Sequence, residues 1–199
     1  MAVFVLPIAA PRPAAALVHG FVGPFAPPQW TPLPDASIVD TTSAPAAITL
    51  FGPDDGSGWS SDSAYAITLP VDHDSVSFLW SYVTADLSPA HDPLGYLLNS
   101  VFTPLSDPFG PPNQSGSIKL VMSSGDSFAF AISSLDNLGG AATTTVSCFK
   151  AGRPSEIPDC PGCVCPVPAP LPILGAAAAF GSIRKARAFS SRLKAFPLA

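Results

Sequence analysis

Asp86, Asp92 and Asp136 are the residues whose type and spacing best suit a site. Each lies in a turn beside an apolar run: Asp86 after Val76–Tyr82, Asp92 in the following turn, and Asp136 after Phe128–Ile132. Ca²⁺ takes about six to eight oxygen ligands, chiefly carboxylates, and loops at one end of a β protein can gather them. These three are the candidate calcium ligands. Asp72-His73-Asp74 and Asp54-Asp55 offer smaller sets of the same donors.

The cysteines suggest a second chemistry. Cys148 precedes Cys160-Pro161-Gly162-Cys163-Val164-Cys165 by twelve residues. Cys-x-x-Cys is half of a structural zinc site, but the single residue between Cys163 and Cys165 is tight for tetrahedral thiolates. In an exported chain the same four are disulfide candidates, and spacing does not choose among their three pairings. Cys148 shares parity with Val146 and is expected to point inward, where a packed thiol is also at home.

No nucleophile is assembled by the sequence. Acyl transfer needs Ser or Cys beside His. The histidines are His19, His73 and His91, and there is no Gly-x-Ser-x-Gly elbow. Carboxylates for glycoside cleavage would come from turn aspartates, which are ordinarily just solvated. The chain is read as non-enzymatic, an extracellular hydrolase being the weaker alternative. Trp80 shares a face with Val76 and Phe78 and is expected in the core. Trp59, in the polar loop Gly56–Ser61, is the candidate platform for stacking on a sugar ring. Asn113-Gln114-Ser115 matches an N-glycosylation sequon.

Strands must position these residues. Val76, Phe78, Trp80 and Tyr82 alternate with mostly polar neighbours, which is the period of a half-buried strand. Phe128–Ile132, Ile118–Met122, Tyr65–Leu69 and Ala142–Cys148 repeat the pattern, and Ala46–Phe51 and Leu97–Leu105 are weaker runs. Turn signals such as Pro53-Asp54-Asp55-Gly56, Ser124-Gly125-Asp126 and Asp136-Asn137-Leu138-Gly139-Gly140 separate them. Seven or eight strands over 24–150 predict a single antiparallel β-sandwich or jelly roll.

Composition places that domain outside the cytoplasm. Charged residues are only 12% of the chain, and 25 of its 199 residues are proline. Between Gly20 and Cys165 three basic residues face fourteen acidic ones, which excludes a nucleic-acid partner. Residues 1–22 are apolar with Ala14-Ala15-Ala16 as a small-residue cleavage site, the pattern of a secretory leader, although Arg12 and three prolines interrupt it. Residues 151–170, rich in proline and cysteine, are expected to form an extended linker. At the far end, Leu171–Ile183 is a thirteen-residue apolar stretch followed by Arg184, Lys185, Arg187, Arg192 and Lys194. A stable span needs about 17–25 apolar residues. A short helix here suits transient insertion, with the basic tail on the cytoplasmic side.

Val167-Pro168-Ala169-Pro170 followed by Leu171-Pro172-Ile173-Leu174-Gly175 and the alanine run resembles the cyanobacterial-type variant of the PEP-CTERM sorting signal. Ala169 stands where the name-giving motif has glutamate. The resemblance covers about 28 residues within 167–199. It assigns the signal to Val167, Pro168, Pro170, Pro172, Gly175, Arg184, Lys185 and Arg187. It implies an exosortase-type processing enzyme as partner and transient insertion in the inner membrane. The destination is then the cell surface, outer membrane or extracellular space. Phe78-Leu79-Trp80-Ser81-Tyr82, Asp92–Asn99 and Asp136-Asn137 also resemble stretches of the exported β domains that carry such tails. In strand order the three aspartates resemble the acidic points that gather Ca²⁺ in CUB domains, without the CUB cysteines. The expected role is structural or adhesive, associated with exopolysaccharide or biofilm. The alternative is a carbohydrate-binding β-sandwich module.

Overall fold

The computed structural model describes residues 16–34 and 38–157. Eleven antiparallel strands lie among them: β1 (Val18–His19), β2 (Thr31–Leu33), β3 (Val39–Asp40), β4 (Ala47–Phe51), β5 (Ser61–Thr68), β6 (Ser75–Val83), β7 (Leu94–Leu98), β8 (Val101–Pro104), β9 (Asn113–Val121), β10 (Ser127–Ser134) and β11 (Thr143–Gly152). The first sheet runs β3-β4-β11-β6-β9, with β1 also paired to β11. The second runs β2-β5-β10-β7-β8. The helical content of the described residues is two 3₁₀ turns, Gly23–Phe25 and Pro27–Gln29.

Side-chain alternation explains why the two sheets face each other. Val76, Phe78 and Tyr82 of the first sheet and Tyr65, Ile67, Phe128, Phe130 and Ile132 of the second all lie in one buried cluster. Phe78 meets Phe130 edge to face at 5.0 Å, and Trp30 stacks between Tyr65 at 5.3 Å and Phe130 at 5.2 Å. Such pairs contribute about 0.5–1.5 kcal/mol beyond the burial of their area. Trp80 packs at the edge of this cluster, as its parity predicts. Its indole lies against Gly116, its cross-strand partner, where a Cβ would stand 2.7 Å from Cζ2.

Four expectations differ from the structure in detail. The single run Leu97–Leu105 is a hairpin of β7 and β8. Asn99 (φ 50°) and Ser100 (φ 67°) form its two-residue loop, which joins Leu98 to its partner Val101. Positive φ at both positions is what a tight hairpin turn demands. The alternation in β11 breaks at a bulge between Ser147 and Lys150, with Cys148 at φ 54°. Phe149, rather than Cys148, therefore takes the inward place and stacks on Phe21 at 4.9 Å. The leader boundary expected at residue 22 falls inside the folded body. Val18 pairs with Ala151, His19 pairs with Lys150, and Phe21 is 2% exposed in the core. The linker expected from 151 begins late, because Ala151 and Gly152 still belong to β11 and Ile157 is buried. Lys119 Nζ donates to Ile157 O at 2.6 Å and holds that end down. Residues 1–15, Cys160, Cys163, Cys165 and the whole of 167–199 lie outside the described residues.

Candidate functional site

The crossover from β4 to β5 carries the chain from one sheet to the other and leaves a cleft. Gly52 donates its N–H to Ala142 O at 2.7 Å as it leaves β4. A Cβ there would stand 2.9 Å from Ile132 Cγ2 and 3.3 Å from Ala142 O, so glycine lets the backbone pass this close to the core. The cleft encloses about 640 Å³. It is lined by the apolar residues Ile38, Phe51 and Pro53, by the acidic Asp54, Asp55 and Asp62, and by Ser61 and Ser63.

Ser63 occupies an inward position of β5, two residues before Tyr65, and pairs across the sheet with Ile132. It is 3% exposed, and its Oγ has no hydrogen-bond partner. Buried hydroxyls are nearly always paired, so this one is an unspent donor and acceptor at the cleft floor.

The rim is pre-shaped by Asn137. This residue is buried at φ 51° in the β10–β11 turn. Its Nδ2 donates to Ser61 Oγ at 2.8 Å and to Ser57 Oγ at 3.3 Å, and its carbonyl accepts from Gly56 N at 3.0 Å. Asp55 Oδ1 accepts from Ser57 N at 2.9 Å, and Trp59 N donates to Ser57 Oγ at 3.2 Å. The hydroxyl and N–H of Ser57 hold the Asp55 carboxyl below its ordinary range. Trp59, on this braced loop, is 77% exposed.

A second constellation forms where β6 ends. Asp86, His91 and Asp136 place one ligand atom each within 4.8 Å of one another. His91 Nδ1 is 3.0 Å from Asp86 Oδ1. The same carboxylate oxygen accepts from Leu87 N, and Asp86 N donates to Thr84 Oγ1 at 3.1 Å. Gly139 (φ +84°) crosses the Asp86 carboxyl so closely that a Cβ would stand 2.9 Å from its carbon. The hydrogen bond and charge of Asp86 raise the His91 pKa, with Asp136 and Asp92 adding to it.

Two of the three aspartates predicted from sequence are therefore ligand neighbours, and His91 stands where Asp92 was expected. The Asp92 carboxyl turns inward instead. Asp92 is 1% exposed, and Oδ2 accepts from Thr84 Oγ1 at 3.3 Å. Burial raises its pKa, against the hydroxyls of Ser134 and Thr84, and the charges of Asp86 and Asp136 raise it further. Its backbone carbonyl accepts from Tyr82 OH at 2.8 Å, and burial pushes that phenol up to about 12.

Cys148 is disulfide-bonded. Asp54 and Asp55 line the cleft rather than join the cluster. His73 packs edge to face on Phe25 at 5.2 Å, and its Nδ1 lies 3.1 Å from Val71 O. Sequence reasoning missed His91, Ser63 and Asn137. His91 is adjacent to Asp92, and Ser63 is a polar residue on the inward parity of Tyr65, so both left a signal. Asn137 left only its place in a turn.

No family model and no curated protein matches the chain. Among solved structures, it is similar to the crystal structure of the Agl-KA catalytic domain, with TM-score 0.37 and 14% identity over 94% of this chain. The chain spans 37% of that protein's length. It is also similar to the N-terminal cellulose-binding domain of Cellulomonas fimi β-1,4-glucanase C, with TM-score 0.32 and 8% identity. That match covers 60% of this chain and 91% of the other.

Proposed function

We propose that this chain is an exported, non-enzymatic β-sandwich that binds carbohydrate in the cleft between β4 and β5. One observation carries the reading: a buried, unpaired Ser63 hydroxyl at the floor of a cleft whose rim loop holds Trp59 out in solvent. Sugar sites combine a flat apolar face with a few fixed hydrogen-bonding groups. Trp59 offers the first, and Ser61, Ser63 and the aspartates the second. The bracing by Asn137 lowers the ordering cost on binding. Among the lining residues no histidine, cysteine or lysine stands ready to activate a serine, so the reading is binding without cleavage. The strand orders β4-β11-β6-β9 and β5-β10-β7-β8 are those of a jelly roll.

The proposed setting is the cell envelope or its exopolysaccharide. The PEP-CTERM-like order of Val167–Lys194 supports an exosortase-processed address. Fractionation of tagged protein with and without residues 167–199 checks this, and equal release of both forms would defeat the address. For the site, a glycan array with wild-type and Trp59→Ala protein is the test. Binding lost in the variant is expected. Undiminished binding by the variant, or none by the wild type, would sink the reading.

A second reading is a metal ion held by Asp86, His91 and Asp136. It is favoured by the arrival of an imidazole beside two carboxylates. That mixed donor set suits Zn²⁺ or a similar transition ion better than the calcium expected from aspartates alone.

A further inference from the structure

We propose that the cleft between β4 and β5 selects amino-sugar polymers, glycans with free protonated amines, over neutral and uronic-acid glycans. This deepens the carbohydrate reading and rests on it. Asp54, Asp55 and Asp62 line the cleft, and no Lys, Arg or His does. Carboxylates are acceptor-only groups, and an ammonium is a donor-only group with three N–H. A protonated amine therefore satisfies acceptors that neutral sugar hydroxyls satisfy more weakly. The Asp55 carboxyl is held ionised by the two hydrogen bonds from Ser57.

The surroundings reinforce the same sign. Between Gly20 and Cys165 the chain carries three basic and fourteen acidic residues, and a concave wall focuses such a field. A uronate or sulfated glycan would meet like charge at the cleft mouth and along the body. The unpaired Ser63 Oγ supplies a group that a diffuse acidic surface lacks, a fixed hydrogen-bond partner for a ring hydroxyl at the floor. Trp59 supplies the stacking face. Charge chooses the sugar class, and these two fix its position.

The test is calorimetric titration at about pH 6 with four tetramers: β-1,4-glucosamine, its N-acetylated form, β-1,4-glucose and galacturonate. Wild-type protein, Trp59→Ala and the double variant Asp54→Asn/Asp62→Asn are compared. The glucosamine tetramer is expected to bind about tenfold tighter than the acetylated one at low salt. That advantage should fall steeply at about 0.5 M salt, where charges are screened beyond a few ångströms. It should also fall in the double variant, and Trp59→Ala should weaken both amino-sugar ligands. If neutral oligomers bind as tightly and Trp59→Ala abolishes them, the charge selection is overturned while the carbohydrate reading stands. If galacturonate is preferred, the charge selection is likewise overturned. Amine binding that Trp59→Ala leaves unchanged is diffuse attraction to an acidic surface and overturns the site. No binding by any oligomer overturns both.

Discussion

His91 Nδ1 stands 3.0 Å from Asp86 Oδ1, pairing an imidazole at 42% side-chain exposure with a carboxylate at 5%. The buried partner keeps its charge, and the exposed one can gain or lose a proton. Asp86 raises the His91 pKa above its ordinary 6.5. A raised folded-state value contributes stability that is fully present below the unfolded pKa and lost as pH rises through the folded one. The melting temperature of wild-type protein should therefore exceed that of His91→Gln most at about pH 5.5, the gap closing by about pH 8.5. A gap independent of pH would show that the ion pair does not contribute, and its solvent exposure keeps the expected effect small.

Metal binding would reverse the pH trend, because a ligating imidazole must be deprotonated. Protein stripped with chelator and then given Zn²⁺ should melt higher at about pH 7.5 than at pH 5.5. An ion at a hundred times its dissociation constant adds about 2.7 kcal/mol. Asp136→Asn should remove the shift and leave the metal-free melting temperature near that of wild type. Absence of a shift with either Zn²⁺ or Ca²⁺ would end the metal reading.

Ser63→Ala separates a ligand group from a packing group. Removing a buried hydroxyl with no partner should leave the free protein as stable or more stable, by up to about 1 kcal/mol in urea denaturation. Affinity for a bound oligosaccharide should fall about threefold to tenfold. A destabilised variant would mean that the hydroxyl has a partner in solution.

Asn137 holds the rim through both its side chain and its backbone. Asn137→Ala removes the bonds to Ser57 and Ser61 and places a less tolerant residue at φ 51°. A loss of about 2–3 kcal/mol is expected. Asn137→Gly, which keeps the backbone free to adopt this φ, should cost less. Both should make Trp59 more accessible to a collisional quencher, since its loop loses the same anchors. Equal quenching in all three proteins would show that the loop is held by something else.

Most of the strands were legible because their information is local. Val76-Phe78-Trp80-Tyr82 and Phe128-Phe130-Ile132 alternate with period two, and backbone geometry turns that directly into one inward face. Parity misled at Cys148, because a bulge inserts residues that the partner strand does not match and shifts every side chain beyond it. The sandwich edges at Phe21 and Ile157 were also hidden. A short flank of apolar and proline residues reads like a leader or a linker until a sheet is there to pair with it.

The site divides along the same line. From sequence alone came the acidic turns, the exposed indole of Trp59 and the absence of a nucleophile motif, since each depends on residue type and immediate neighbours. That Asp86 and Asp136 meet follows from turns fifty residues apart closing the same end of the fold. The exchange of Asp92 for His91 was decided only in three dimensions, because adjacent residues in a turn diverge and packing sends one inward to Thr84. The same holds for Ser63, whose hydroxyl became informative only when both sheets closed over it without offering a partner.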